Sequence, residues 1–193
     1  MTLEIFLIFF LSYISGSIPF GFILTKLFLN KDIRNVGSKN IGATNVLRTG
    51  NKFYAALTLF LDISKGVAPI IITSYYFPDL IYISGLMAFL GHIFPVWMKF
   101  KGGKGVATYL GILFALSLKL GIFFCISWVL VVLISKYSSL SSIIASLIIF
   151  FISLLEGSFE LNSYLFITFV IILYTHRKNI IRIKNKTEDK IKL

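Results

Sequence analysis

The chain has 193 residues, of which 57% are hydrophobic and 14% charged, and 19 Lys and Arg against 8 Asp and Glu give a formal charge of +11. Apolar runs recur from residue 3 to residue 175, which excludes an ordinary soluble domain and leaves little chain for a separate one. On a soluble protein this basic excess would point to nucleic acid. With this hydropathy it marks one face of a membrane, and no nucleic-acid partner is expected.

The expected fold is an all-α polytopic integral membrane protein, one multispan domain over residues 1–193. Apolar segments fall at 3–29, 53–75, 80–98, 105–118, 120–135, 139–155 and 161–175. Crossing a hydrocarbon core of ~30 Å takes about 20 helical residues. The first three segments have that length. The last four need tilt, local thinning or polar end turns, and 105–118 is the weakest. The first segment carries Glu4 in place of a basic start and runs apolar too long for a signal peptide, so it is expected to stay as a span. Its small polar band, Ser12, Ser15, Gly16, Ser17, Pro19 and Gly21, suits close packing around a proline kink. Ser17 and Pro19 stand nearer the basic loop, where opened backbone can line a cavity.

Charge orients the spans. With the N-terminus outside and seven crossings, the cytoplasmic pieces 30–52, 99–104, 136–138 and 176–193, with the adjoining helix ends, hold nearly every basic residue, Lys119 being the clear exception. The opposite side receives Glu4, Asp79, Glu156 and Glu160. This asymmetry predicts an outside N-terminus and a cytoplasmic C-terminus. It requires an odd number of crossings: seven, or five if Lys119 marks a shallow pair that does not cross. The single cysteine, Cys125, lies in an apolar run and reads as a small hydrophobe.

The first polar stretch, Asp32 to Arg48, sets Arg34, Ser38, Lys39, Asn40, Thr44, Asn45 and Arg48 among Gly37 and Gly42. Glycine permits tight turns while its neighbours supply N–H, hydroxyl, amide and guanidinium donors, a composition suited to phosphate. A structured linker with a positive face is the plainer account. Asp62 and Lys65 then interrupt the second apolar segment, with Gly66 next to Lys65. At a spacing of three they share a helix face and either pair with each other or orient a polar substrate or Arg48.

The second stretch, Gly91 to Thr108, holds His92 and then Lys99, Lys101 and Lys104 around Gly102, Gly103 and Gly105, just before an apolar segment. Glycine and lysine ahead of a helix N-terminus suit an anion, although this is not a Walker loop. His92 is a candidate base, or a residue that bonds a neighbouring helix. Further on, Ser138 or Ser139 suits a helix cap, while Ser141 and Ser142 suit contact with a headgroup-sized ligand. In the tail, His176, Asn179 and Arg182 recur every three residues and share one helical face. Glu188 can accept from their basic groups or from substrate hydroxyls. The tail also serves ordinary topology signalling. Two histidines without a supporting cluster give no reason to expect a metal.

Two functions fit these stretches: an enzyme joining an anionic substrate to a lipid chain, or a membrane carrier for a phosphorylated small solute. A carrier is expected to show access elements on both faces and related halves. The external loops are short and plain and no internal repeat is evident, which favours the enzyme. A purely structural membrane subunit leaves the first polar loop unexplained.

Seven motifs in order resemble the bacterial acyl-phosphate:glycerol-3-phosphate acyltransferase family. They are Gly16-Ser-Ile-Pro-Phe-Gly21, Asp32 through Asn45 with Arg48, Asp62-Ile-Ser-Lys-Gly66, Gly91-His-Ile-Phe-Pro-Val96, Lys101-Gly-Gly-Lys-Gly-Val-Ala-Thr108, Tyr137 to Ser142, and His176 to Arg182 with Thr187 and Glu188. The resemblance implies a seven-span enzyme of the bacterial inner membrane whose motifs meet at the cytoplasmic face. It implies transfer of a long acyl group from acyl phosphate to the 1-hydroxyl of sn-glycerol 3-phosphate, giving lysophosphatidic acid and inorganic phosphate without a cofactor. The implied catalytic group is Ser38, Arg48, His92, Lys104, Asn179 and Glu188. Arg34, Gly37, Asn40, Gly42, Thr44, Asn45, Lys101, Gly102, Gly103, Gly105, Ser142, His176 and Arg182 are implied to bind substrate. The favoured mechanism is direct attack, with His92, His176 or an acceptor phosphate oxygen as base. Substrates and membrane lipid are the expected partners, and no protein partner is legible. Lys39 stands where glycine is also familiar in the family, and Lys186 where glycine is often expected before Thr187-Glu188.

Overall fold

The structure, a computed structural model, describes residues 3–191 without the Glu156 side chain, and among these residues there are ten α-helices and no strand. Contacts divide the chain into two compact units, Met1–Leu116 and Ser117–Leu193. Each unit is built around one central helix.

In the first unit α1 (Leu3–Ser17) is followed by α2 (Phe20–Phe28), α3 (Ala43–Leu47), α4 (Lys52–Tyr76), α5 (Ile81–Ile93) and α6 (Val106–Leu116). The first apolar segment breaks at Ile18 and Pro19, because proline has no N–H to continue the helical ladder. The central helix α4 packs against the other five. It starts at Asn51, whose side chain accepts from Tyr54 N at 3.1 Å. A Cβ on Gly66 would strike the Thr108 carbonyl and one on Gly111 the Ile63 carbonyl, so α4 and α6 meet backbone to backbone. Gly16 lies against Ala88 of α5 in the same way. Ser12 and Ser84 hydroxyls are 2.9 Å apart, and Thr73 Oγ1 donates to Ser84 Oγ at 2.9 Å. The expected small-residue packing of α1 is therefore present.

In the second unit α8 (Ser138–Glu156) packs against α7 (Leu118–Ser135), α9 (Phe159–Thr175) and α10 (Arg177–Lys184). Ser117 and Ser158 cap α7 and α9, accepting from Leu120 N and Leu161 N. The expected cap of α8 by Ser138 or Ser139 is corrected: Tyr137 holds the cap position and makes no side-chain cap bond. The helix begins at Ser138, so both serines already lie inside its first turn, and Ser139 Oγ donates elsewhere.

Leu3–Phe28, Lys52–Tyr76, Pro78–Met98, Leu118–Ser135 and Ser138–Leu155 are long and apolar enough to cross a membrane. The pair α9 and α10, bent by 56°, is a sixth candidate. With 11 residues, α6 rises only ~16 Å, about half of a hydrocarbon core. Length alone thus does not carry seven full crossings, and 105–118 is the segment in question. Ile134, Leu155 and Phe159 are 86%, 82% and 82% exposed, a pattern that suits lipid rather than water as solvent.

Candidate active site

The loop between α2 and α3 is folded around one amide. Asn45 is 2% exposed. Its Nδ2 donates to Asn40 O at 2.7 Å and Val36 O at 2.9 Å, with Ile33 O at 3.2 Å, and its Oδ1 accepts from Ser38 N at 3.0 Å. An amide with two hydrogens and one carbonyl is fully engaged by such a set. Asn45 thus shapes the loop that presents Ser38, Asn40 and Thr44. Gly37 has φ 49° and Lys39 has φ 61°. A Cβ on Gly37 would press on Asn45 Oδ1 and Arg48 Cδ, so this turn needs glycine. Gly42 caps α3. Arg34 forks onto Asp32, Nε to Oδ1 at 2.9 Å and Nη2 to Oδ2 at 2.6 Å, and lies 4.7 Å from the Phe22 ring centroid. The Arg34 bonds hold the Asp32 carboxyl down at about 2.

A small core beneath the loop joins it to the glycine-lysine loop. Ile33, Ile41, Val46 and Ala55 are buried together with Met98, the last residue being from the loop between α5 and α6. Trp97 Nε1 also donates to Ser17 Oγ at 2.8 Å. A cavity of about 320 Å³ opens here, lined by Ile18, Pro19, Phe22, Ile23, Trp97 and Met98. Of the two residues expected to stand where opened backbone lines a cavity, Pro19 lines it, next to Ile18, while Ser17 ends α1 and is not among the lining residues.

The glycine-lysine loop folds back on the end of α5. Gly102 N donates to Ile93 O and Gly103 N to His92 O, both at 3.0 Å. A Cβ on Gly103 would strike His92 Nε2, and one on Gly105, whose φ is 84°, would strike the Phe89 ring. Lys101 is exposed and Lys104 half-buried. His92 itself is 3% exposed. Its Nδ1 is 3.1 Å from Thr108 Oγ1 and 3.7 Å from Asp62 Oδ1. Asp62 and Lys65 pair at 2.8 Å, the first of the two outcomes expected for them. Thr108 is given no role by the sequence reading. Its place one helical turn after Lys104 is the signal that was available.

The second unit gathers its polar residues around Glu188. Oε1 accepts from Asn179 Nδ2 at 2.6 Å and Ser139 Oγ at 2.7 Å, and Oε2 from Arg182 Nε at 2.7 Å. Burial pushes the carboxyl up, but these bonds and the Arg182 charge outweigh it and hold it below the ordinary glutamate value. His176, 2% exposed, directs Nδ1 at Ile172 O, 2.9 Å away. A carbonyl only accepts, so Nδ1 carries the hydrogen in that contact. Ser142 Oγ donates to Ser138 O at 2.9 Å and accepts from Trp128 Nε1 at 3.1 Å. Trp128 escapes a sequence reading because a tryptophan in an apolar run looks lipid-facing.

Long apolar helices with buried polar turns at their ends define a polytopic membrane protein. The family model for glycerol-3-phosphate acyltransferase matches residues 6–186. The chain is 57% identical over 182 residues to a glycerol-3-phosphate acyltransferase of Pelagibacter ubique (strain HTCC1062), covering 94% of this chain and 95% of the relative. It is 49% identical over 180 residues to one from Brucella anthropi, covering 93% and 89%. A crystal structure of PlsY (YgiH), an integral membrane glycerol 3-phosphate acyltransferase in its glycerol 3-phosphate form, matches with a TM-score of 0.94 and 37% identity, covering 98% of this chain and 96% of that one. Its lysophosphatidic acid form matches with a TM-score of 0.90 and 35% identity, with the same coverage. The chain belongs to the glycerol-3-phosphate acyltransferase family and is a membrane-embedded enzyme of that class.

Proposed function

We propose that this chain, acting as one domain, moves a long-chain acyl group from acyl phosphate to the 1-hydroxyl of sn-glycerol 3-phosphate, releasing lysophosphatidic acid and inorganic phosphate. The observation that carries the proposal is the whole-length likeness to a protein solved in a glycerol 3-phosphate form and in a lysophosphatidic acid form. The reaction takes place at the cytoplasmic face of the bacterial inner membrane, the side to which the basic loops are assigned by the positive-inside rule.

The chemistry asks little covalent work of the protein. The acceptor oxygen attacks the acyl carbon, the bond from that carbon to the phosphate oxygen breaks, and phosphate leaves with the bonding pair. Positioning two anions and neutralising charge as it develops is the main task. Ser38, Asn40, Thr44 and Arg48, with Gly37 and Gly42, hold the acyl-phosphate headgroup, on a loop shaped by Asn45, and Arg34 adds positive charge. Lys104 and Lys101, with Gly102, Gly103 and Gly105, neutralise a second phosphate. Ser142, His176, Asn179 and Arg182 seat glycerol phosphate, with Glu188 orienting the last two. The hydroxyl proton passes to an acceptor phosphate oxygen or to His176. No acyl-enzyme forms.

Donor choice tests this. Membranes containing the protein are given labelled glycerol 3-phosphate with palmitoyl phosphate, palmitoyl coenzyme A or palmitoyl acyl carrier protein in turn. Product with palmitoyl phosphate alone is expected. Product with either thioester and none with palmitoyl phosphate overturns the donor assignment.

A further inference from the structure

Inside the first unit an aspartate and a lysine are enclosed together. Asp62 and Lys65, 1% and 4% exposed, lie one turn apart on α4 with Oδ1 and Nζ at 2.8 Å. Apolar side chains of similar volume often match or exceed the stability of such a buried pair, so stability does not account for it. Ionisable groups inside membrane helices are costly and tend to serve a site.

The contacts of this pair converge on one loop. Lys65 Nζ donates to Ile18 O at 2.6 Å, the carbonyl at the α1–α2 break that also accepts from Phe20 N. Asp62 Oδ1 stands 3.7 Å from His92 Nδ1, and His92 Nδ1 is 3.1 Å from Thr108 Oγ1. His92 lies in the last turn of α5 and Thr108 in the first turn of α6. These two residues therefore close the base of the loop that carries Lys101 to Gly105. The loop backbone returns to the same point, with Gly103 N on His92 O and no room for a side chain between Gly103 and the imidazole.

We propose that Asp62, Lys65 and Thr108, acting through His92, are positioning residues that set the backbone of Lys101–Gly105 and the placement of Lys104 for a phosphate monoester. They touch no substrate. This rests on the acyl-transfer assignment made above, and it adds the device that holds the phosphate loop in place.

The test uses the full chain in lipid nanodiscs and the variants Asp62→Asn/Lys65→Met, Thr108→Val and Thr108→Ser. The double variant leaves no unpaired buried charge, so it is expected to unfold at the parental temperature. Its KM for glycerol 3-phosphate is expected to rise about tenfold or more while kcat stays within about threefold. Thr108→Val is expected to raise KM similarly, and Thr108→Ser, which keeps the hydroxyl, to restore it. Parental KM values in both the folded double variant and Thr108→Val overturn the proposal. If the double variant does not fold, the Thr108 pair decides alone. If the parent protein makes no product, acyl transfer fails as the function, and the loop is then read by inorganic phosphate. Phosphate that raises the unfolding temperature of the parent but not of Thr108→Val supports the positioning role, and equal shifts or none overturn it.

Discussion

Asn179 Nδ2 donates to Glu188 Oε1 at 2.6 Å, and this bond ties the segment after α10 back onto that helix. Ser139 and Arg182 complete the set on the same carboxylate. Because the folded carboxyl sits below its ordinary value of 4.5, the stabilisation is fully present above that pH and lost as pH falls through the lower folded value. Glu188→Gln is expected to cost about 1–3 kcal/mol at neutral pH and to flatten the acid limb of a melting-temperature profile. An acid limb as steep as that of the parent contradicts this.

Lys39 and Lys186 both adopt left-handed backbone, with φ 61° and 58°. An L-residue pays about 1–2 kcal/mol in this region, partly offset by the chain entropy glycine loses on folding. Lys39→Gly and Lys186→Gly are each expected to stabilise the protein by about 0.5–1 kcal/mol, seen as a rise of a few degrees in thermal unfolding. Alanine at either site is expected to give no such gain.

Gly103 has no space for a methyl group against His92. Gly103→Ala is expected to displace the loop and lower kcat/KM about tenfold or more, with the helices intact by circular dichroism. Unchanged kinetics would mean that the loop tolerates movement there.

Asn45→Asp keeps the size of the side chain but replaces the amide nitrogen and its two N–H donors by one acceptor oxygen facing the carbonyls of Val36 and Asn40. A buried acceptor against carbonyls loses the bonds and adds repulsion, a loss of about 2–4 kcal/mol. The first loop is expected to become protease-sensitive and activity to fall by about a hundredfold or more. Near-parental activity would assign the loop's shape to other bonds.

Much of the helical frame is legible in the sequence because long apolar runs have few alternatives in lipid. The expected segment 53–75 is helix Lys52–Tyr76, and the break at Pro19 follows from the missing N–H. The Asp62–Lys65 pair is one of the two outcomes that its spacing of three allows, and the structure has it. What spacing does not give is the company the pair keeps, since Ile18 O on Lys65 and His92 beside Asp62 arrive only when the helices have packed. Asn45 illustrates the same limit: its residue type suggests a ligand donor, and only the folded loop shows its amide committed to four backbone groups. Trp128 on Ser142 is invisible for a different reason, because an indole hydrogen bond leaves no mark on hydropathy.

The most direct test of the central claim is acyl transfer by the purified protein in lipid, with labelled glycerol 3-phosphate and with palmitoyl phosphate, itself labelled in the acyl chain, as the only donor. Lysophosphatidic acid formed in equal amount with inorganic phosphate, and no labelled protein when the donor is given alone, is the expected result. Folded protein that makes no product across several donor chain lengths would contradict the account and bring a carrier of phosphorylated solutes to the front.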